Sequence, residues 1–290
     1  MAYPRPVSWP TFILDLANNH NGSVEFGCEI IKRHAEIIAA HGVSAAIKFQ
    51  WRDLEDYRHG DENYQAKFND TQILKWAKLK RTARDCGLQI AATAFDPGAA
   101  KWLKYDVDFA KIASCSARDW ETLEAIKSVG LPTIASTGGL HLGEVDQLIA
   151  YCDVLMHCVS IYPTLLEDCN LSKIGTYKRR YPGMPIGWST HESPDETIPI
   201  QMAVAHGATI FERHIGLDGC NAYSSTPGHL DRWISAWELA QSINSGSDTQ
   251  DRERMALAKV ERKDQDNSRS SPYSSIGGLE SGAVSPSWLR

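Results

Sequence analysis

Two histidines, His191 and His214, each close a short run with strand character, PIGWSTH (185–191) and TIFERHI (209–215). Neutral imidazoles placed this way suit a divalent transition metal, with waters or a substrate oxygen filling the other positions. A metal in that setting is a Lewis acid for a carbonyl oxygen. Two lysines, Lys48 and Lys111, also fall inside strand-like runs, and hydroxyl residues gather at similar positions: Thr93, Ser114, Ser136, Thr137, Ser160 and Ser189. Ammonium groups with several hydroxyl donors make an anion site, most naturally for phosphate or a phosphorylated carboxylate. Asp15 and Glu212 add two carboxylates able to handle protons. An anionic phosphate compound beside an activated carbonyl points to carbon–carbon bond formation.

These residues meet only if the elements carrying them share one end of a fold. Strand-like runs at 11–17, 45–51, 89–95, 109–114, 133–138, 153–160, 185–191 and 209–215 alternate with helix-like segments, beginning with 24–42 and 71–87. Pro97 stands in a first-turn position, Asp119 is a helix cap, and Gly130 a helix stop. Apolar strands alternating with amphipathic helices mean a parallel sheet covered by helices. Eight such units predict an α/β fold of the (β/α)8 TIM-barrel class. No GxGxxG follows the first strand, which speaks against a dinucleotide fold.

Catalytic groups of such barrels sit at the C-terminal ends of the strands. The polar residues of this chain collect there: Asp15 and then NNHNG; Lys48 and Gln50; Thr93; Lys111 and Ser114; Ser136 and Thr137; His157, Ser160 and Tyr162; Ser189 and His191; Glu212 and His214. Strand residues two apart face the same way, so Ser189 shares a face with His191, and Glu212 with His214. The mouth is therefore expected to hold two lysines, several hydroxyls, two or three histidines and two carboxylates. Taken singly, a strand lysine is usually solvated and a strand histidine usually a hydrogen-bonded core residue. Converging on one mouth, so many polar groups would be left unsatisfied without a ligand.

The remaining composition bounds the partners. At 290 residues, 42% of them apolar, the chain has length and core for one barrel. A net charge of −6 argues against nucleic acid as the main partner. No run of about 18 apolar residues is present to span a membrane, and the N-terminus lacks the apolar stretch of a signal peptide. Seven cysteines without a CxxC read as reduced thiols, and the expected location is cytoplasmic. Residues 1–245 form the expected barrel domain, and the serine-rich, polar 246–290 a linker or tail.

The strings NHNG, IKFQ, KIAS, ASTGG, HCVSIYPT, GWSTHES and FERHIGLD occur in an order and spacing that resemble the sialic acid synthase family, N-acetylneuraminate synthases of the NeuB type, over roughly residues 12–240. That family condenses phosphoenolpyruvate with an amino sugar aldehyde on a barrel. The resemblance implies that Lys48, Thr93, Lys111, Ser114, Ser136, Ser160 and Ser189 hold phosphoenolpyruvate. It implies that His191 and His214 hold a divalent metal, typically manganese, with magnesium or cobalt as substitutes. Gln50 and Tyr162 match positions lining the sugar site, and Asn19 and His20 match an element after the first strand. Asp15 stands where the family usually has Glu, and Asp15 or Glu212 would manage the proton while Lys48 and Lys111 stabilise charge. As partners it implies phosphoenolpyruvate, a sugar aldehyde and a second copy of the chain in a homodimer.

Two departures fall on the sugar side. Ser116 stands where an acidic residue is common, and Asn221, in GCNAYSS, replaces an aspartate that contacts the acceptor. Donor chemistry is thus expected to be kept and the acceptor altered. The tail resembles the worn entry to the family's antifreeze-like domain, without a complete domain of that kind. Two other readings compete: a barrel that binds ligand or partner without turnover, and a Schiff-base aldolase using Lys111.

Overall fold

The computed structural model describes residues 8–52, 73–218 and 220–245, with Arg254 and Lys259 beyond them. Eight strands alternate with helices in the order expected. The strands are β1 (Phe12–Asp15), β2 (Ala45–Trp51), β3 (Gln89–Ala94), β4 (Phe109–Ile112), β5 (Thr133–Ser136), β6 (Val154–Cys158), β7 (Ile186–Thr190) and β8 (Ile210–His214). The helices are α1 (Val24–His41), α2 (Ile73–Asp85), α3 (Pro97–Ala100), α4 (Trp120–Val129), α5 (Leu142–Leu148), α6 (Ser172–Arg180), α7 (Ile198–Ala205) and α8 (Pro227–Asn244). Every neighbouring strand pair is parallel, and β8 pairs with β1, so the sheet closes into a (β/α)8 barrel.

Local chemistry sets the helix limits. Ser23 caps α1 by accepting the Phe26 N–H at 3.2 Å, and Gly42 ends it at φ 63°, a left-handed value that favours glycine. Asp119 caps α4 by accepting from Thr122 N, and Gly130 ends it at φ 74°. Residues 195–197 stay outside α7, which begins at Ile198 with Pro199 in the first turn, where a missing N–H costs nothing.

Two apolar layers hold the barrel. Outside the strands, Phe12, Leu14, Phe49, Ile90, Leu155, Trp188 and Phe211 are buried against the helices. Phe12 meets Trp233 and Trp237 of α8 at ring distances of 5.6 and 5.3 Å. Inside, Ile13, Ala46, Ala91, Phe109, Ile134, Val154, Met156 and Ile210 form a plug, closed from below by Trp9 edge-on to Phe109 at 5.6 Å.

Two residues further along the same inward faces the chemistry changes. Ile13 is followed by Asp15, Ala46 by Lys48, Ala91 by Thr93, Phe109 by Lys111, Ile134 by Ser136 and Ile210 by Glu212. The period of two carries both sets inward, the apolar plug below and the polar layer above it. On β6 the inward series runs Val154, Met156, Cys158, which corrects the expectation for His157. His157 faces the helix layer, donates from Nε2 to the Cys169 carbonyl at 2.8 Å and packs on Tyr177.

The chain divides into Met1–Asn244, which contains the barrel, and Ser245–Arg290. The tail expected at 246–290, and its likeness to a domain entry, lie outside the described residues apart from Arg254 and Lys259. All seven cysteines are free. Among the described residues no helix is long and apolar enough to cross a membrane.

Candidate active site

The polar layer opens into a cavity of about 450 Å³ at the C-terminal mouth. Asp15, Lys48, Gln50, Thr93, Lys111, Ser114, Ser136, Ser160, Tyr162, Ser189, His191, Glu212 and His214 all line it. Of the site residues read from the sequence, Asn221, His157 and Thr137 do not.

At the floor, Glu212 joins three strands. Its Oε1 accepts from Lys48 Nζ at 3.0 Å, Lys111 Nζ at 3.1 Å and Ser189 Oγ at 2.9 Å. Burial alone would raise the Glu212 carboxyl, but Lys111 and Lys48 outweigh it and hold it well below the usual range. Lys48 also pairs with Asp15 Oδ2 at 2.9 Å. Burial would lower the Lys48 ammonium, and Asp15 and Glu212 reverse this and raise it. Lys111 has less compensation: it donates to Ser136 Oγ at 2.8 Å, and burial keeps its ammonium below the ordinary lysine value despite Glu212. Two cations and two anions thus share a floor that is almost entirely sealed. Removing one member of such a buried network leaves an uncompensated charge, at a typical cost of about 3–5 kcal/mol.

Asp15 is the other junction. Its Oδ1 accepts the Ala17 N–H at 2.9 Å, and its Oδ2 accepts from Gln50 Nε2 at 3.1 Å. Burial favours the neutral acid, but the Lys48 ammonium holds its carboxyl below the ordinary value.

The histidines arrive as neighbours because of register. The β7–β8 ladder ends at the pair Thr190 and Arg213, so His191 and His214 follow side by side, with ring centres 5.2 Å apart. His191 donates from Nδ1 to the Val159 carbonyl at 2.9 Å, which leaves Nε2 with its lone pair. Burial holds His214 down to about 4, so it is neutral at pH 7, and its Nδ1 is buried without a hydrogen-bond partner. Among the described residues no three His, Cys, Asp or Glu side chains gather as a metal cage. The arrangement is a two-imidazole edge on an open, polar cavity.

Hydroxyls form the wall at β4, β5 and β6. Gly138 donates its N–H to Ser114 Oγ at 2.9 Å. A Cβ at Gly138 would fall onto Ser160 Oγ and Ser114 Oγ, so only glycine lets the two hydroxyls come together here. Thr93 Oγ1 is buried without a protein partner, a donor aimed at whatever fills the cavity.

Several lining residues gave no sequence signal. Arg52, Phe95, Cys115, Arg118, Cys158 and Tyr223 all line the cavity. Arg52 stacks on Phe95, and Arg118 is held by Glu144 at 2.6 Å. Tyr223 lies 5.1 Å from His214 and 5.3 Å from Tyr162, ring to ring. Asn221 is instead committed to its own loop: it donates to Asn19 Oδ1 at 3.1 Å and accepts from Ser224 Oγ at 2.8 Å. Ser116 is buried, with its hydroxyl 3.4 Å from the Phe95 carbonyl.

The model of the NeuB family matches residues 22–232. The chain belongs to the NeuB family. It is 32% identical over 220 residues to an uncharacterized protein of Methanocaldococcus jannaschii, covering 72% of this chain and 63% of that one. It is 29% identical over 229 residues to N-acetylneuraminate-9-phosphate synthase of Drosophila melanogaster, covering 71% of this chain and 60% of that one. The chain thus spans less than two thirds of the length of these two NeuB-family relatives. Among solved structures it resembles the N-acetylneuraminic acid synthetase of Leptospira borgpetersenii, with a TM-score of 0.75, 28% identity, and coverage of 88% of this chain and 93% of that one.

Proposed function

We propose that this NeuB-family barrel condenses phosphoenolpyruvate with a sugar aldehyde to give a 3-deoxy-2-keto sugar acid. One observation carries the reading: two buried lysines, four serine hydroxyls and two adjacent histidines line a single cavity at the catalytic end of the barrel. Lysines and hydroxyls match a phosphorylated carboxylate, and the histidines match a cation beside a carbonyl.

In this mechanism Lys48 and Lys111 face the donor's negative charge, with Ser114, Ser136, Ser160 and Ser189 as neutral donors around it. Glu212 does not serve as the base. Its Oε1 is committed to two ammoniums and a hydroxyl, and its role is to hold the lysines at fixed positions. Asp15 is ionised, sits next to His214, and is the group placed to take a proton. His191 and His214 would hold a divalent cation, manganese in the first instance, which supplies a Lewis acid to the aldehyde oxygen. The donor's methylene carbon bonds to the aldehyde carbon, and water adds to the donor's central carbon. Phosphate then leaves by C–O cleavage. One proton of the water ends on the aldehyde oxygen and the other departs with the phosphate. Tyr162 and Tyr223, over the histidines, form the aromatic side of the acceptor space.

The test is inorganic phosphate release from phosphoenolpyruvate with a panel of aldoses and amino sugars. Release that depends on one aldehyde, and is lost in Lys111→Ala, is expected. Tight donor binding with no release for any aldehyde would establish a binding barrel instead. Trapping of pyruvate on Lys111 by borohydride would establish a Schiff-base aldolase.

A further inference from the structure

Behind the two histidines, on the opposite face of the same strand ends, lies an ion pair sealed from water. Arg213 precedes His214 and Glu192 follows His191, so alternation turns both away from the cavity while the histidines turn into it. Arg213 is 0% exposed and Glu192 1%. Arg213 Nη1 donates to Glu192 Oε1 at 3.1 Å, and its Nη2 donates to the Glu192 carbonyl at 3.2 Å and the Ser193 carbonyl at 3.0 Å. The guanidinium lies over the Trp233 ring of α8 at 5.2 Å.

Stability does not explain this pair. Buried ion pairs are often neutral or unfavourable against apolar residues of the same volume. Here Glu192 Oε2 and Arg213 Nε are both buried with no hydrogen-bond partner, so part of the desolvation is not recovered.

Position does explain it. His191 lies one residue past the last rung of the β7–β8 ladder, where no sheet hydrogen bond fixes the backbone. One side is held by the loop after β6, through Thr164 N–H to the His191 carbonyl at 3.0 Å and His191 Nδ1–H to the Val159 carbonyl. The other side is held by the Arg213 fork, which grips the two residues that follow. Arg213 sits on β8 next to His214, so the same fork fixes one histidine relative to the other.

We propose that Arg213 and Glu192 are positioning residues that set the spacing of His191 and His214 for one divalent cation. The inference rests on the reading of those histidines as cation ligands. Its test uses Co2+ as the probe, with calorimetric titration and visible absorption of the bound ion, beside thermal melting of the metal-free chain. The wild-type chain is expected to bind Co2+. The double variant Glu192→Gln/Arg213→Met is expected to melt no lower than wild type, yet to bind Co2+ about tenfold or more weakly, the range typical of lost support behind metal ligands. Its cobalt absorption bands should shift. Arg213→Lys keeps a charge for Glu192 and a donor for the loop, and is expected to retain most of the affinity. Arg213→Lys set against Arg213→Met repeats the comparison in a background that keeps Glu192, should the double variant not fold.

A folded double variant with unchanged Co2+ affinity and spectrum overturns the proposal, as does Arg213→Met binding as tightly as Arg213→Lys. If wild type binds no Co2+, or binds it no more tightly than its His191→Ala form does, the metal reading itself falls, and this inference with it.

Discussion

Oδ2 of Asp15 lies 3.4 Å from Nε2 of His214, across the seam where β1 meets β8 and closes the barrel. The two residues are register partners, and Asp15 is in turn the register partner of Lys48. One row of the sheet therefore carries a cation, an anion and a neutral imidazole in contact, built where the first two strands of the barrel meet its last. Catalysis of the proposed kind needs the barrel closed, because neither terminal strand holds the row alone.

His191→Ala and His214→Ala should each abolish cation binding and lower phosphate release at least 100-fold, a typical scale for losing an electrophilic element of a site. Far-ultraviolet circular dichroism should be unchanged, since neither ring belongs to the apolar plug. A chelator-treated wild-type enzyme that keeps full turnover would refute the metal role.

Lys111→Ala should weaken donor binding by roughly 10- to 100-fold, the scale of one to two charge-assisted hydrogen bonds. Acceptor binding should change far less. Calorimetric titration with phosphoenolpyruvate decides this, and unchanged donor affinity would remove Lys111 from the anion site. Glu212 retains Lys48 and Ser189 in this variant, so the floor keeps one ion pair and the fold is expected to survive.

How much of this was legible in the sequence depends on how each residue is placed. Lys48, Thr93, Lys111, Ser136 and Glu212 were visible because each stands two residues beyond an apolar strand residue facing the same way. His157 was misplaced for the same reason turned around. In LMHC every residue of β6 is buried, so hydropathy does not say which parity faces inward, and Cys158 took the place expected of the histidine. Tyr223, Arg118 and Cys115 enter from loops, where no period marks direction. Arg213 and Glu192 carry no distinguishing signal in the sequence, and their complete burial shows only in the structure.

The seam between α1 and α8 should respond to pH. His41 ends α1 and contacts Glu238 at 2.9 Å and Asp231 at 3.1 Å, both on α8. Burial would lower the imidazole, but the two carboxylates outweigh it and raise its value above the ordinary 6.5. A group whose folded value is raised contributes stability that is fully present below its unfolded value, near 6.5, and lost as pH climbs through the folded value. The melting temperature of wild type should therefore fall relative to His41→Ala as pH rises from 6 toward 9, the contact contributing at most about 1 kcal/mol of stability at pH 6. Equal slopes for the two proteins would show that the contact contributes nothing.

Asn221 should act on the acceptor through its loop. Asn19 donates to Ser224 Oγ at 2.8 Å, Ser224 donates to Asn221 Oδ1, and Asn221 donates back to Asn19 Oδ1, closing a ring of three side chains. Asn19 also donates to the Ile215 carbonyl at 2.7 Å, which ties the ring to the end of β8. Tyr223 stands between Asn221 and Ser224, so the ring fixes where its phenol meets His214 and Tyr162. Asn221→Ala leaves Asn19 Oδ1 and Ser224 Oγ short of partners and frees that segment. The expected result is a rise in acceptor KM of about tenfold, the cost of roughly one to two lost hydrogen bonds, with donor KM nearly unchanged. Asn221→Asp should behave much like Ala, because a carboxylate keeps the acceptor for Ser224 but loses the donor to Asn19 and faces its carbonyl oxygen. Steady-state kinetics with both substrates varied makes the split measurable. A variant that raises donor KM as much as acceptor KM would show that the loop supports the whole mouth rather than the acceptor side.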